Sequence, residues 1–251
     1  MPLTPGLAAI LFLAALAAGF IDAIAGGGGL IAVPVLMGAG LPPQIVLGTN
    51  KLQSSCGTLL AVARYARAGL VAWKDVRLAA VVTFASASLG AYVVTQVSND
   101  ILKAVVPWLL LTIAVYALVS PRLGVEPRPA RLAMPAFAWL AGSVLGFYDG
   151  FFGPGTGSFW TLALLTLAGY ELTRATAYTK VVNLASNLAS VIIFVAAGKV
   201  RYDFALIMIA GQLIGARAGA GMVLRHGAQF VRVVFLLVVF SLTAKLLWDT
   251  L

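Results

Sequence analysis

Apolar runs of roughly 20 residues recur along the whole chain, the length a helix needs to cross the hydrocarbon core of a bilayer. They extend from about Pro5 to Ala25, from Pro43 to Ala66, Val76 to Val97, Ile101 to Val119, Leu132 to Phe152, Thr173 to Ala197, Phe204 to Leu224 and Phe230 to Trp248. Two shorter pieces, Leu30 to Met37 and Ser158 to Ala168, cannot span alone. No segment alternates like a porin strand. Only 10% of the 251 residues are charged, against about 25% in a soluble domain. So few charges cannot cover a water-soluble globule, which excludes a soluble enzyme, a nucleic-acid binder and a disordered chain. The expected fold is an all-α polytopic membrane protein of about eight spans, with the lipid bilayer as its partner.

The formal charge of +9 is explained by Lys and Arg collecting in cytoplasmic loops, not by nucleic acid. One cysteine, Cys56, and one histidine, His226, exclude an internal disulfide and give no metal site. No cofactor is expected. The N-terminus lacks a basic leader region and reads as a retained first span. Homodimer formation is left open.

The pattern occurs twice. Gly19-Phe20-Ile21-Asp22-Ala23-Ile24-Ala25-Gly26-Gly27-Gly28 matches Gly146-Phe147-Tyr148-Asp149-Gly150-Phe151-Phe152-Gly153-Pro154-Gly155, with the aspartates 127 apart. Thr49-Asn50-Lys51-Leu52 matches Tyr178-Thr179-Lys180-Val181, and Ala68-Gly69-Leu70-Val71 matches Ala197-Gly198-Lys199-Val200, both at an offset of 129. Leu89-Gly90-Ala91 pairs with Ile214-Gly215-Ala216 at 125. Residues 1–119 thus form one repeat of about four spans and 132–251 a second, joined by a Pro-rich, charged linker over 120–131. Substrate binds between such repeats in many transporters. Loop charges fit parallel or inverted halves equally. Both arrangements place ten basic loop residues inside and four outside, and both make the Arg64–Arg77 loop and the linker cytoplasmic. The Gly-rich broken or re-entrant helices incline the reading toward inverted repeats.

Asp22, Lys51, Asp149, Lys180 and Arg217 fall inside apolar segments, where an ionisable residue costs about 2.5–3.5 kcal/mol on insertion scales. Lys51, Ser54, Ser55 and Thr58 share one helical face, as do Lys180, Asn183 and Asn187. A helix starting in mid-membrane aims unpaired N–H groups and the positive end of its dipole at whatever lies there. Half-helices beginning near Gly29 and Gly157 would favour an anion, and Lys51 and Lys180 add full positive charges. The substrate-site candidates are therefore Gly28, Gly29, Gly155, Thr156, Gly157 and Ser158 at the breaks. Thr49, Asn50, Lys51, Ser54, Thr179, Lys180, Asn183 and Asn187 join them from the polar stripes. Asp22 and Asp149 are the proton-coupling candidates, since a desolvated carboxylate can titrate near neutral pH. The competing reading makes Asp22–Lys51 and Asp149–Lys180 two structural ion pairs, the glycines packing positions and the stripes interhelical hydrogen bonds. In the anion-site reading, the two lysines meet near the bilayer centre.

The blocks GFIDAIAGGGGLIAVPVL, GTNKLQSS, GFYDGFFGPGTGSF and TKVVNLASN resemble the TauE/SafE family of sulfite exporters, also called TSUP or DUF81. The similarity covers nearly the whole chain. It implies a bacterial inner-membrane permease for sulfur-containing anions such as sulfite or organosulfonates. The family's motif acids and glycines fall on Asp22, Gly26 to Gly29, Asp149 and Gly153 to Gly157, and its basic positions on Lys51 and Lys180. Pro154 and Thr156 stand where glycines would continue, a departure between the two copies. The expected function is secondary transport of a small sulfur-containing anion, with protons as coupling ion. A passive anion channel is the alternative. An intramembrane aspartyl enzyme is the weaker one, because neither aspartate sits in a Gly-x-Gly-Asp context. There is no P-loop to draw on ATP.

Overall fold

A computed structural model describes residues 2–106, 108–109 and 129–250 of the chain. Most of the expected span ending at Val119, and most of the linker, lie outside these residues. The described elements are α1 (Pro5–Ala25), α2 (Gly29–Gly38), α3 (Pro43–Arg67), α4 (Trp73–Gln96), α5 (Met134–Phe151), α6 (Thr156–Thr166), α7 (Leu172–Ala196) and α8 (Tyr202–Thr250). Residues 99–106 are also helical. Among the described residues all regular structure is helical. Among the described residues, four helices are long and apolar enough to cross a membrane: α1, α4, α7 and the stretch Tyr202–Gly227 of α8. Helix α3 has the length, 25 residues, but carries a polar stripe.

The helix ends follow from local chemistry. Thr4 caps α1 by accepting from Leu7 N at 3.3 Å, and Pro5 stands at its first turn. Glu171 caps α7 by accepting from Thr173 N and Arg174 N. Helices α3 and α7 end alike, with Gly69 and Gly198 in the left-handed region. The next N–H reaches back from Leu70 to Tyr65 O and from Lys199 to Phe194 O. Helix α8 breaks at Gly227, φ 64° and ψ −153°.

Printed contacts give the course of each helix. Gln44 N at the start of α3 donates to Asn99 Oδ1, and the Gln44 amide donates to Val97 O past the end of α4. Arg201 N, just before α8, donates to Thr49 Oγ1. These segments therefore share one end of the bundle. At the other end, Arg131 N and Leu132 N donate to Leu167 O, Tyr178 Oη contacts Ala72 O and Asp75 Oδ2, and Arg64 donates to Arg217 O. Helix α3 and helix α7, which carry the matched lysines, thus run in opposite directions, as do α4 and the first stretch of α8.

Helix α1 lies mainly on α8, and α5 mainly on α4. Both contacts are backbone-close. A Cβ on Gly211, Gly215 or Gly219 would come within 2.0–2.4 Å of the carbonyl oxygens of Phe12, Leu16 and Phe20. A Cβ on Gly90 or Gly150 would meet Phe147 O at 2.2 Å or Ala87 O at 2.0 Å. Such small-residue seams let membrane helices approach closely and gain dispersion contacts. They also correct one sequence pairing. Gly90 faces Phe147 and Gly219 faces Phe20, so the counterpart of Gly90 by contact is Gly219, at the same offset of 129 as the lysines, and not Gly215.

Residue numbers rise together along both seams, so α1 runs parallel to α8 and α5 parallel to α4. Helix α2 then returns to the end where α1 began, and α6 to the end where α5 began. At 10 and 11 residues they are about 15 Å long, half the hydrocarbon thickness. Two helical hairpins thus enter from opposite ends and bring their tips together inside.

Candidate functional site

The hairpin tips are the glycine breaks. Gly26 closes α1 at φ 77°, and a Cβ there would lie 2.4 Å from Gly157 Cα. The reciprocal Cβ on Gly157 would lie 2.4 Å from Gly26 Cα. Any side chain at this crossing would force two backbones apart. Neighbouring groups take up the carbonyls freed by the breaks. Tyr65 Oη donates to Ala23 O at 2.8 Å, Ser158 Oγ to Ala25 O at 3.1 Å and Tyr148 Oη to Pro154 O at 2.8 Å. The N–H groups fare differently. Helices α2 and α6 have no side-chain cap, and among the described residues the N–H groups of Gly29, Gly155 and Gly157 find no acceptor.

A small polar cavity of about 30 Å³ lies against these N-termini. Gly26, Gly29, Gly153, Gly155, Thr156 and Gly157 line it from the breaks. Asn50, Lys51, Ser54, Asn183 and Asn187 line it from α3 and α7, and Asp22 and Asp149 complete it. Most residues expected at the site are therefore brought together. Gly28, Ser158, Thr49, Thr179 and Lys180 are not part of the lining. Gly28 packs on Ala18 and Asp22. The Ser158 and Thr49 hydroxyls serve Ala25 O and Arg201 N. Thr179 meets Thr161 at 3.1 Å. Gly153 leaves room for the Lys51 ammonium, which lies 3.0 Å from where its Cβ would be.

The charges pair across the halves. Lys51 Nζ lies 2.7 Å from Asp149 Oδ1, and Lys180 Nζ lies 3.1 Å from Asp22 Oδ2. This overturns the Asp22–Lys51 and Asp149–Lys180 pairing of the competing structural reading. Its physical reason is the opposite course of α3 and α7. Each lysine sits eight residues into its helix, about 12 Å from the end where that helix starts, and those ends are opposite. Each hairpin reaches past the middle, so its aspartate arrives at the level of the other half's lysine. The lysines consequently stand at two levels and do not meet. Each carboxylate lies at the C-terminal end of its helix, where the dipole disfavours negative charge; the ammonium offsets this.

The two pairs differ in their partners. Lys51 also donates to Asn187 Oδ1 at 3.1 Å, and Asp149 Oδ2 accepts from Ser186. Lys180 Nζ, although within ion-pair distance of Asp22, has no aligned hydrogen bond. Ser186 was not singled out from sequence. Its counterpart 129 residues earlier is Gly57, so no repeated motif marks it; its position six residues after Lys180, one before Asn187, is the available signal. Gly26 and Gly153 were visible as motif glycines but were not assigned to the lining.

The comparisons with known proteins point to membrane transporters. The family model "Sulfite exporter TauE/SafE" matches residues 11–246. A "Probable membrane transporter protein YfcA" of Escherichia coli K12 is 42% identical over 247 residues, 98% of this chain and 92% of that protein. A "Probable membrane transporter protein" of Haemophilus influenzae is 43% identical over 243 residues, 97% and 95% of the two chains. A "Probable membrane transporter protein YjnA" of Bacillus subtilis is 26% identical over 217 residues, 80% and 85%. No solved structure matches the chain. With paired hairpins around a buried polar cavity and a family match over nearly its full length, the chain belongs to the TauE/SafE sulfite exporter family of membrane transporters.

Proposed function

We propose that the chain exports a small sulfur-containing anion, such as sulfite or a short organosulfonate, across a bacterial inner membrane as a proton-coupled secondary transporter. The observation that carries this reading is the cavity itself. Uncapped N–H groups of two helix N-termini and the Lys51 ammonium meet at one small polar cavity. A sulfur oxyanion presents several oxygens around one centre, which suits donors arriving from more than one direction. The Asn50, Ser54, Asn183 and Asn187 side chains supply further polar contacts.

The internal repeat supports alternating access, since helices at matching offsets run oppositely and the two hairpins enter from opposite ends. Arg64, Arg67, Lys74, Arg77, Arg131, Arg174 and Arg225 collect toward one end, against Lys103, Lys199 and Arg201 at the other. The first end is therefore assigned to the cytoplasm. Asp22 and Asp149 are the groups available for proton coupling.

The test is flux into proteoliposomes. Labelled sulfite, thiosulfate, sulfate and C2–C3 sulfonates are offered under an imposed pH gradient. Accumulation of a sulfur anion above equilibrium, abolished by an uncoupler, is expected. Equilibration without accumulation would instead establish a passive channel.

A further inference from the structure

We propose that Asp22 alone takes up the proton that accompanies the anion, while Asp149 stays ionised as a positioning residue for Lys51. This rests on the transport reading above. Two ammoniums and two carboxylates cancel, so the ionised site holds no net charge for an anion. A monoanion entering with one proton preserves that balance. The proton forms an O–H bond on one carboxylate and removes one negative charge from the site. With Asp22 protonated, Lys180, which stands outside the cavity lining, acts on the anion through its uncompensated charge while Lys51 lines the cavity.

The geometry points to which carboxylate. Both Asp149 oxygens already accept, Oδ1 from Lys51 at 2.7 Å and Oδ2 from Ser186. A proton on either weakens charge-assisted hydrogen bonds already in place. Asp22 has one contact, a misaligned 3.1 Å approach to Lys180. Its side chain is 15% exposed, against 5% for Asp149, so it loses less and is reached more readily. A protonated carboxyl also needs an acceptor. Buried oxygens without partners stand on the helices packed against α1, Thr58 Oγ1 on α3 and Gln212 Oε1 on α8. The Gln212 amide fills the space that Gly57 leaves, where the second half has Ser186.

Few other titratable groups face Asp22. Lys180 approaches from α7. Tyr65 comes from α3, with its hydroxyl committed to Ala23 O. Lys51 and Asp149 share the cavity. Helices α2 and α6 contain no titratable residue. The α8 seam presents Gly211, Gln212, Gly215, Ala216 and Gly219.

The test is infrared difference spectroscopy of the purified protein in lipid as the pH is lowered. Beyond the bands of the other carboxyls, which all these proteins share, the wild type should gain one protonated-carboxyl band that Asp22→Asn lacks and Asp149→Asn keeps. If Asp149→Asn does not fold, the pair variant Asp149→Asn with Lys51→Gln takes its place. Survival of that band in Asp22→Asn, its disappearance with Asp149, or its absence from the wild type would overturn the assignment. A second arm measures binding of ethanesulfonate, whose own charge is constant over this range. Affinity should rise by up to about tenfold for each unit by which the pH falls in the wild type and stay flat in Asp22→Asn. Ethanesulfonate that never binds counts against the sulfonate reading, and the infrared result still decides the proton's place.

Discussion

Replacing Lys51 by Gln tests the crossed pairing most directly. Lys51 is 2% exposed and the Asp149 side chain 5%, so removing the ammonium leaves a carboxylate with little access to water. Breaking a buried ion pair from one side costs about 3–5 kcal/mol. Ser186 still donates to Asp149 after the change, and a retained hydrogen bond to a charged group is worth about 1.5–3 kcal/mol. The expected loss is therefore near the lower limit, about 3 kcal/mol. The double variant Lys51→Gln with Asp149→Asn removes both charges and should recover to within about 1 kcal/mol of wild type. Lys51→Gln with Asp22→Asn should lose more than either single change, because it strands Asp149 and Lys180 together. Equilibrium unfolding in mixed micelles, read by tryptophan fluorescence, measures the wild type, the single changes Lys51→Gln and Asp22→Asn, and both double variants. Rescue by Asp22→Asn in place of Asp149→Asn, or an unperturbed Lys51→Gln, would refute the reasoning.

The hairpin crossing should tolerate no side chain: Gly157→Ala, whose Cβ would sit 2.4 Å from Gly26 Cα, should cost about 1–3 kcal/mol by the same unfolding assay. Tyr65→Phe leaves Ala23 O without its donor and should lower stability by about 1–3 kcal/mol without moving the infrared carboxyl band. In a Cys56→Ser background, a cysteine at the exposed Ala72 should react only with membrane-permeant reagent in whole cells, and one at Lys199 should react with impermeant reagent. The reverse labelling pattern would invert the proposed orientation.

Much of the site was legible because charge is so costly in hydrocarbon that Asp22, Lys51, Asp149 and Lys180 stand out in a nearly uniform apolar text. The glycine breaks were legible for a related reason: a run such as Gly26 to Gly29 cannot continue a stable helix. Partners were not legible. A repeat seen in one dimension suggests that Asp22 should serve Lys51 just as Asp149 serves Lys180, and only the direction in which α3 and α7 travel reverses that choice. Hydropathy does not encode direction, and the loop charges here balanced equally for both. The seam glycines misled for another reason. Helix α8 carries Gly211, Gly215 and Gly219 at one-turn intervals, so a local match can slip by a turn and still look correct, as it did at Gly215. Ser186 escaped notice because its role depends on a carboxylate 37 residues away on another helix.

The reciprocal seating of α1 on α8 has a consequence for how the protein is made. Gly19 and the Gln212 backbone it touches are separated by 193 residues. At about 5–20 residues per second of synthesis, α1 waits roughly 10–40 s in the bilayer before its principal neighbour exists. During that interval its glycine and alanine face meets lipid or nascent segments. A ribosome that stops within the linker would release a half whose first helix has no seat, a natural substrate for membrane proteases. The two halves should accordingly mature together when synthesised as separate polypeptides in one cell, and neither should persist when produced alone.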